Sequence, residues 1–69
     1  MEELIFLVEE SDEGGYVAKA LSAPIVTEAE TIEELRDMVR DAVLCHYDSE
    51  AERPKMIRLH FVKDEVLAL

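Results

Sequence analysis

The side chains best suited to chemistry lie in one short stretch, "LCHYDSE", from Leu44 to Glu50. The only cysteine of the chain, Cys45, precedes His46 there, and two carboxylates follow closely. A thiolate next to an imidazole can act as a nucleophile, and the same groups together with carboxylates can bind a metal ion. At the end of a helix, however, adjacent side chains point about 100° apart, so Cys45 and His46 are poorly placed to pair.

His60 is the only other histidine, and the sequence does not require it to meet Cys45. One cysteine and two histidines are also too few for the usual structural zinc spacings. We predict instead that Cys45 is a small, partly buried apolar side chain and that His46 is a packed imidazole. We therefore expect no catalytic residue, no cofactor and no metal ligand; an enzyme that uses Cys45, His46 or His60 stays open as a third hypothesis.

The elements around this stretch are indicated by hydrophobic periodicity. Glu3–Glu10 predicts a first strand and Tyr16–Leu21 a returning strand, and the adjacent glycines between them suit the positive φ angles of a hairpin turn. Ile25–Glu28 predicts a further short strand, and Lys55–Val62 alternates as a final strand. The acidic hairpin lacks the ligand spacing of a calcium loop, so we interpret it as a solvated turn.

The helix between these strands has the clearest signals. Thr31 and Glu34 fit a capping box, in which the threonine hydroxyl accepts from the amide three residues later. Six side chains recur at helical spacing on one face: Ile32, Leu35, Val39, Ala42, Val43 and His46. The sequence therefore predicts an α+β fold with an antiparallel β-meander, one amphipathic helix and a last strand, ββ(β)αβ, in a single domain over residues 1–69.

Composition limits the partners of this domain. Seventeen acidic against seven basic residues give the 69-residue chain a formal net charge of -10. Such a field repels nucleic acid and anionic membranes and speeds the encounter with a basic partner, although acidity also simply keeps a small protein soluble. We expect the hairpin acids to steer such a partner: Glu9, Glu10, Asp12 and Glu13. The N-terminus has no targeting signal and Leu4–Val8 cannot span a bilayer, so we expect a cytoplasmic protein.

One helix can cover only one face of a sheet, and the predicted strands are apolar on both faces. A second apolar surface should therefore be exposed on the monomer and covered by another chain, so we expect a homo-oligomer, a dimer or tetramer, a partner protein, or both. The candidate contact residues are Leu4, Phe6, Val8, Leu44, Tyr47, Leu59 and Phe61.

Two segments, "EGGYVAKAL" and "TEAETIEELRDMVRDAV", followed by a final strand, resemble the HicB-like family of type II toxin-antitoxin antitoxins. The resemblance covers about residues 3 to 62 and rests on Tyr16, Thr31, Glu33, Glu34, Leu35, Asp41, Ala42 and Val43. It implies a partial ribonuclease H-like arrangement without working catalytic acids, assembly into dimers or tetramers, and an acidic module that masks a small basic RNA-cleaving toxin of the HicA type.

The chain departs from that family in two places. Many HicB antitoxins continue into a DNA-binding helix-turn-helix or ribbon-helix-helix segment, whereas this sequence stops at Leu69, so we expect no direct nucleic-acid binding. The usual "L-P-G" loop before the helix is replaced by "LSAPIVTEAE". The first hypothesis is thus a non-catalytic antitoxin-like module, and the second is a stand-alone oligomeric scaffold of the same fold that binds another protein or a small ligand.

Overall fold

Four strands and one helix follow one another along the chain. The computed structural model describes residues 2–69. The elements are β1 (Glu3–Glu10), β2 (Tyr16–Ala20), β3 (Val26–Ala29), α1 (Ile32–His46) and β4 (Met56–Val62). The strands form one mixed sheet in the order β3-β2-β1-β4. The predicted α+β class is confirmed.

The first three strands form an antiparallel meander. β1 pairs with β2 from Phe6 opposite Ala20 to Glu10 opposite Tyr16, and β2 pairs with β3. The turn between β1 and β2 places Gly14 at φ 95° and Gly15 at φ 83°, in the left-handed region that glycine enters without steric cost. The adjacent glycines therefore form the hairpin as the sequence predicts.

The last strand lies beside the first and runs parallel to it. Leu4 is opposite Ile57, Phe6 opposite Leu59, and the pairing continues to the end of β4. Parallel neighbours need a crossover connection, and α1 lies in that connection. Consequently the two strands that are farthest apart in sequence form one half of the sheet.

The helix begins where its capping residue indicates. Thr31 is extended, with φ -125°, and its hydroxyl accepts from the amide of Glu34 at 3.1 Å. At the other end the amide of Tyr47 donates to the carbonyl of Val43. The helix packs on β2 and β3. In residues 2–69 no helix is both long and apolar enough to cross a membrane.

The core lies between α1 and one face of the sheet. It is formed by Leu4, Phe6, Val8, Ala18, Ile25, Leu35, Val39 and Val43. Burial of one such large side chain stabilises the fold by about 1.5–3 kcal/mol. The prediction that Leu4, Phe6 and Val8 contribute to an interface is wrong: these side chains are at most 1% exposed, because alternate residues of β1 point under the helix.

Candidate interaction surface

Cys45 and His46 lie on the last turn of α1. Both side chains are exposed, so the predicted partial burial of Cys45 and packing of His46 are wrong. The His46 ring contacts the Tyr47 ring edge-on, with centroids 4.8 Å apart. His60 is opposite Leu7, on the face of the sheet that points away from the helix. Cys45 and His60 are therefore on opposite sides of the sheet.

The same side chains are also of types that can bind a metal ion. Across residues 2–69, no group of three or more His, Cys, Asp or Glu side chains is placed to hold a metal ion.

Four candidate contact residues remain outside the core, two at the helix and two on β4. Leu44 is 52% exposed on the helix, whereas Tyr47, just beyond the helix, is partly buried against the core. Leu59 is also partly buried against the core, and Phe61 is 50% exposed. Leu59 and Phe61 share one face of β4 and are two residues apart, so they form a continuous apolar row, whereas Leu44 lies apart from them.

Outward-facing backbone groups run along β4 beside this apolar row. The amide of Met56 donates to the carbonyl of Glu2, at 3.0 Å, so the backbone of Met56 faces β1. In a parallel ladder alternate residues point the same way, so the amides and carbonyls of Ile57, Leu59 and Phe61 point away from the sheet. Since β4 is the last strand in the sheet order, no strand within residues 2–69 pairs with this side. We call it the outer edge of β4.

The sheet face away from the helix, called here the open face, mixes apolar and charged side chains. Ile5, Leu7 and Val17 are half-buried there. Leu21, Val26 and Met56 are more exposed, at 62%, 64% and 58%. A second apolar surface is therefore present, as expected, but the side chains of Lys19, Glu28 and Arg58 interrupt it.

One ion pair on the open face links the first and last strands. Arg58 donates through Nε and Nη2 to the two carboxylate oxygens of Glu3, at 2.9 and 3.0 Å. This bidentate hydrogen bond lowers the pKa of Glu3 below its usual range and raises the pKa of Arg58. The only arginine of β4 therefore has its charge matched within the subunit.

Acidic side chains gather at the hairpin end of the sheet. The four predicted hairpin acids are exposed. The structure adds acids from β3, from the helix start and from the chain after β4, because they line the same shallow cavities as the hairpin. We call the whole set the acidic end: Glu9, Glu10, Asp12, Glu13, Glu28, Glu30, Glu34 and Asp64. The sequence showed Glu30 and Glu34 only as helix-start acids; the pairing of Tyr16 with Ala29 brings them to the hairpin.

Basic side chains gather at the other end of β1. A cleft of about 390 Å³ is lined by Arg36 and Arg40 from the helix and by Lys55, the residue before β4. Arg40 is 3.4 Å from Asp37, and Lys55 is 3.6 Å from Glu2. Two of the three basic side chains of this cleft therefore have acidic partners within the subunit.

The chain is similar over most of its length to two curated proteins, each named UPF0150 protein. The relative from Thermotoga maritima is 43% identical over 67 residues, which cover 97% of this chain and 93% of the relative. The relative from Archaeoglobus fulgidus is 57% identical over 53 residues, 77% of each chain. No protein-family model and no solved structure gives a significant match.

Proposed function

The chain belongs to the UPF0150 family, and we propose that it is a non-catalytic, cytoplasmic protein-binding module. In this proposal it masks a small basic RNA-cleaving toxin, as antitoxins of the HicB type do, by covering the surface with which the toxin meets RNA. The homo-oligomeric form of the protein is part of the same proposal.

The observation that carries the proposal is the acidic end. Acids from three separate elements, two loops and the segment after β4 converge there, and Lys63 is the only basic residue among residues 2–69 that lines the same cavities. A concentrated field of one sign attracts a partner of the opposite sign and raises its rate of encounter. The meander, helix and last strand also agree with the element order that the HicB resemblance implies.

A second candidate is favoured by the open face and the outer edge of β4. Exposed apolar side chains and the outer edge of a strand are surfaces that another chain can cover, whatever the charge of that chain. Under this candidate the protein is a stand-alone oligomeric scaffold that binds a different protein or a small ligand. The nature of the bound partner distinguishes the two candidates.

To test the proposal, the tagged full-length protein is expressed in the organism from which it comes, and the proteins that bind to it are purified with it. We expect a small basic protein to co-purify, to cleave RNA alone, and to lose that activity when the antitoxin candidate is added at equal concentration. Capture of a protein that does not cleave RNA would contradict the antitoxin proposal and support the scaffold. Cys45→Ala and His46→Ala should leave inhibition unchanged.

The role of charge is tested by two matched pairs of substitutions. Asp12→Asn with Glu13→Gln neutralises two acids of the acidic end, whereas Glu50→Gln with Glu52→Gln neutralises two exposed acids in the link before β4. Both variants change the net charge equally. We expect the hairpin pair to slow association with the basic partner at least about threefold at low salt, and the link pair to have a smaller effect. Equal effects would show that only net charge matters.

A further inference from the structure

The two edges of the sheet differ in how well they are protected from pairing with another chain. β3 is four residues long and contains Glu28, and short, charged strands are poor templates for a further strand. β4 is seven residues long, and Pro54 to Lys63 contains no acid. An unpaired charge on an edge strand disfavours the approach of another strand. The charge of Arg58, the arginine of β4, is already matched by Glu3. This edge is therefore the better template for strand addition.

Two-fold symmetry limits how two copies can join at this edge. Antiparallel strands from identical chains are related by an axis perpendicular to the sheet, so the helices of both copies lie on the same side. We propose that the outer edge of β4 pairs with the same edge of a second copy, with Leu59 opposite Leu59 on the axis. The two sheets then become one sheet of eight strands. This inference deepens the homo-oligomer part of the proposed function and rests on it.

The backbone of β4 is self-complementary in this register. Ile57, Leu59 and Phe61 direct their amides and carbonyls outward, because the amide of Met56 donates toward β1, to the carbonyl of Glu2. With Leu59 on the axis, Ile57 of one copy is opposite Phe61 of the other, and both are outward-facing. Every outward amide of these three residues therefore meets an outward carbonyl, which satisfies groups that otherwise bond only to water.

The side chains match in the same register. On the helix side Leu59 meets Leu59, and the half-exposed Phe61 meets the partly buried Ile57. On the open face Met56 is opposite Val62, so apolar residues again face each other. The remaining pair is Arg58 opposite His60, and Glu3 of the same subunit already matches the charge of Arg58. No acid is placed opposite another acid at this contact.

Charge also favours a second copy over a basic partner at this edge. Pro54 to Lys63 carries three basic residues and no acid, whereas the acids gather at the hairpin. A basic protein is drawn toward the acidic end, and two copies of a chain of net charge -10 repel least where neither is acidic. The outer edge of β4 and the acidic end can thus be occupied at the same time.

The backbone part of the proposal is tested with Phe61→Pro, using Phe61→Leu as the matched control. Proline removes an amide that faces outward, so it breaks no hydrogen bond within the subunit, while leucine keeps both the amide and an apolar side chain. We expect the self-dissociation constant of Phe61→Pro, measured by sedimentation, to exceed that of Phe61→Leu at least about tenfold. Equal constants would overturn the proposal.

The register is tested by disulfide cross-linking. This experiment also tests the strand pairing itself if Phe61→Pro does not fold. In a Cys45→Ser background, Leu59→Cys places two thiols across the axis, with Cα atoms about 5.5 Å apart, within the span of a disulfide. We expect this variant to form disulfide dimers under mild oxidation faster than Leu44→Cys, whose side chain is exposed on the helix. Equal rates would overturn the register.

The outcomes separate this inference from the proposed function. An edge-paired dimer that captures no RNA-cleaving partner would contradict the antitoxin role and leave the strand pairing intact. A protein that neutralises such a partner while remaining monomeric at the concentrations used for sedimentation would contradict the pairing and the homo-oligomer part of the proposed function, and would leave the antitoxin role intact.

Discussion

Arg58 and Glu3 show how one residue pair makes the fold sensitive to pH. The guanidinium donates to both carboxylate oxygens, so the pKa of Glu3 is lowered from its usual value. The stabilisation is present above the ordinary glutamate pKa and is lost as pH falls through the lowered pKa. In an NMR titration we expect Arg58→Gln to return the Glu3 pKa toward its usual range. Arg40→Gln should not move it, since Arg40 contacts Asp37.

Phe6 and Leu44 provide a second comparison between single residues. Phe6 is 0% exposed in the core, whereas Leu44 is 52% exposed. We expect Phe6→Ala to reduce the free energy of unfolding by about 3–5 kcal/mol, because it removes buried area and leaves a cavity. Leu44→Ala should change it by less than about 0.5 kcal/mol. Urea unfolding measures both, and similar losses would contradict the assigned core.

The burial of Cys45 and His46 could not be predicted from the sequence. Helical periodicity gives the direction of a side chain around the helix axis, and it correctly placed Leu35, Val39 and Val43 in the core. It does not give the position at which the sheet beneath the helix ends. The last turn lies against the exposed Pro24 and Val26, where there is too little cover to bury an imidazole.

Among the elements, the β1–β2 hairpin depends on a close backbone approach. A Cβ atom on Gly15 would lie 2.7 Å from the carbonyl oxygen of Ala29, whereas one on Gly14 would meet nothing within 4 Å. Both glycines have positive φ, so both alanine variants carry that conformational cost. We expect Gly15→Ala to lower the melting temperature more than Gly14→Ala, because it also pushes β3 away from β2. Equal shifts in thermal unfolding would show that φ alone matters.

The sequence predicts the elements and the antiparallel meander closely, but it does not predict where the last strand joins the sheet. β1 and the helix have the bounds that the pattern indicated, while β3 begins one residue later because Ile25 turns into the core. β1 is apolar on both faces, so the pattern could not say which face the helix covers; Leu4 and Phe6 were therefore wrongly assigned to an interface. The position of β4 beside β1 is a long-range pairing that no local signal encodes.

At the scale of the whole molecule, the acidic end and the outer edge of β4 are separate surfaces. Salt should therefore have opposite effects on the binding of a basic partner and on self-association. Raising ionic strength from about 0.1 M to about 1 M shortens the Debye length from about 10 Å to about 3 Å. This screens the repulsion between two chains of net charge -10 and also the attraction of a basic partner. We expect the self-dissociation constant to fall and the partner dissociation constant to rise. Sedimentation and titration calorimetry would measure them, and changes in the same direction would contradict two separate surfaces.

The parallel contact between β1 and β4 also constrains how the protein is made. Glu3 and Arg58, which it brings together, are 55 residues apart. A ribosome must therefore deliver nearly the entire sheet before the first strand has both of its neighbours. Until then one edge of β1, the strand that carries Leu4, Phe6 and Val8, has no partner, and translation that stalls before Met56 would leave this edge open to chaperones or proteases.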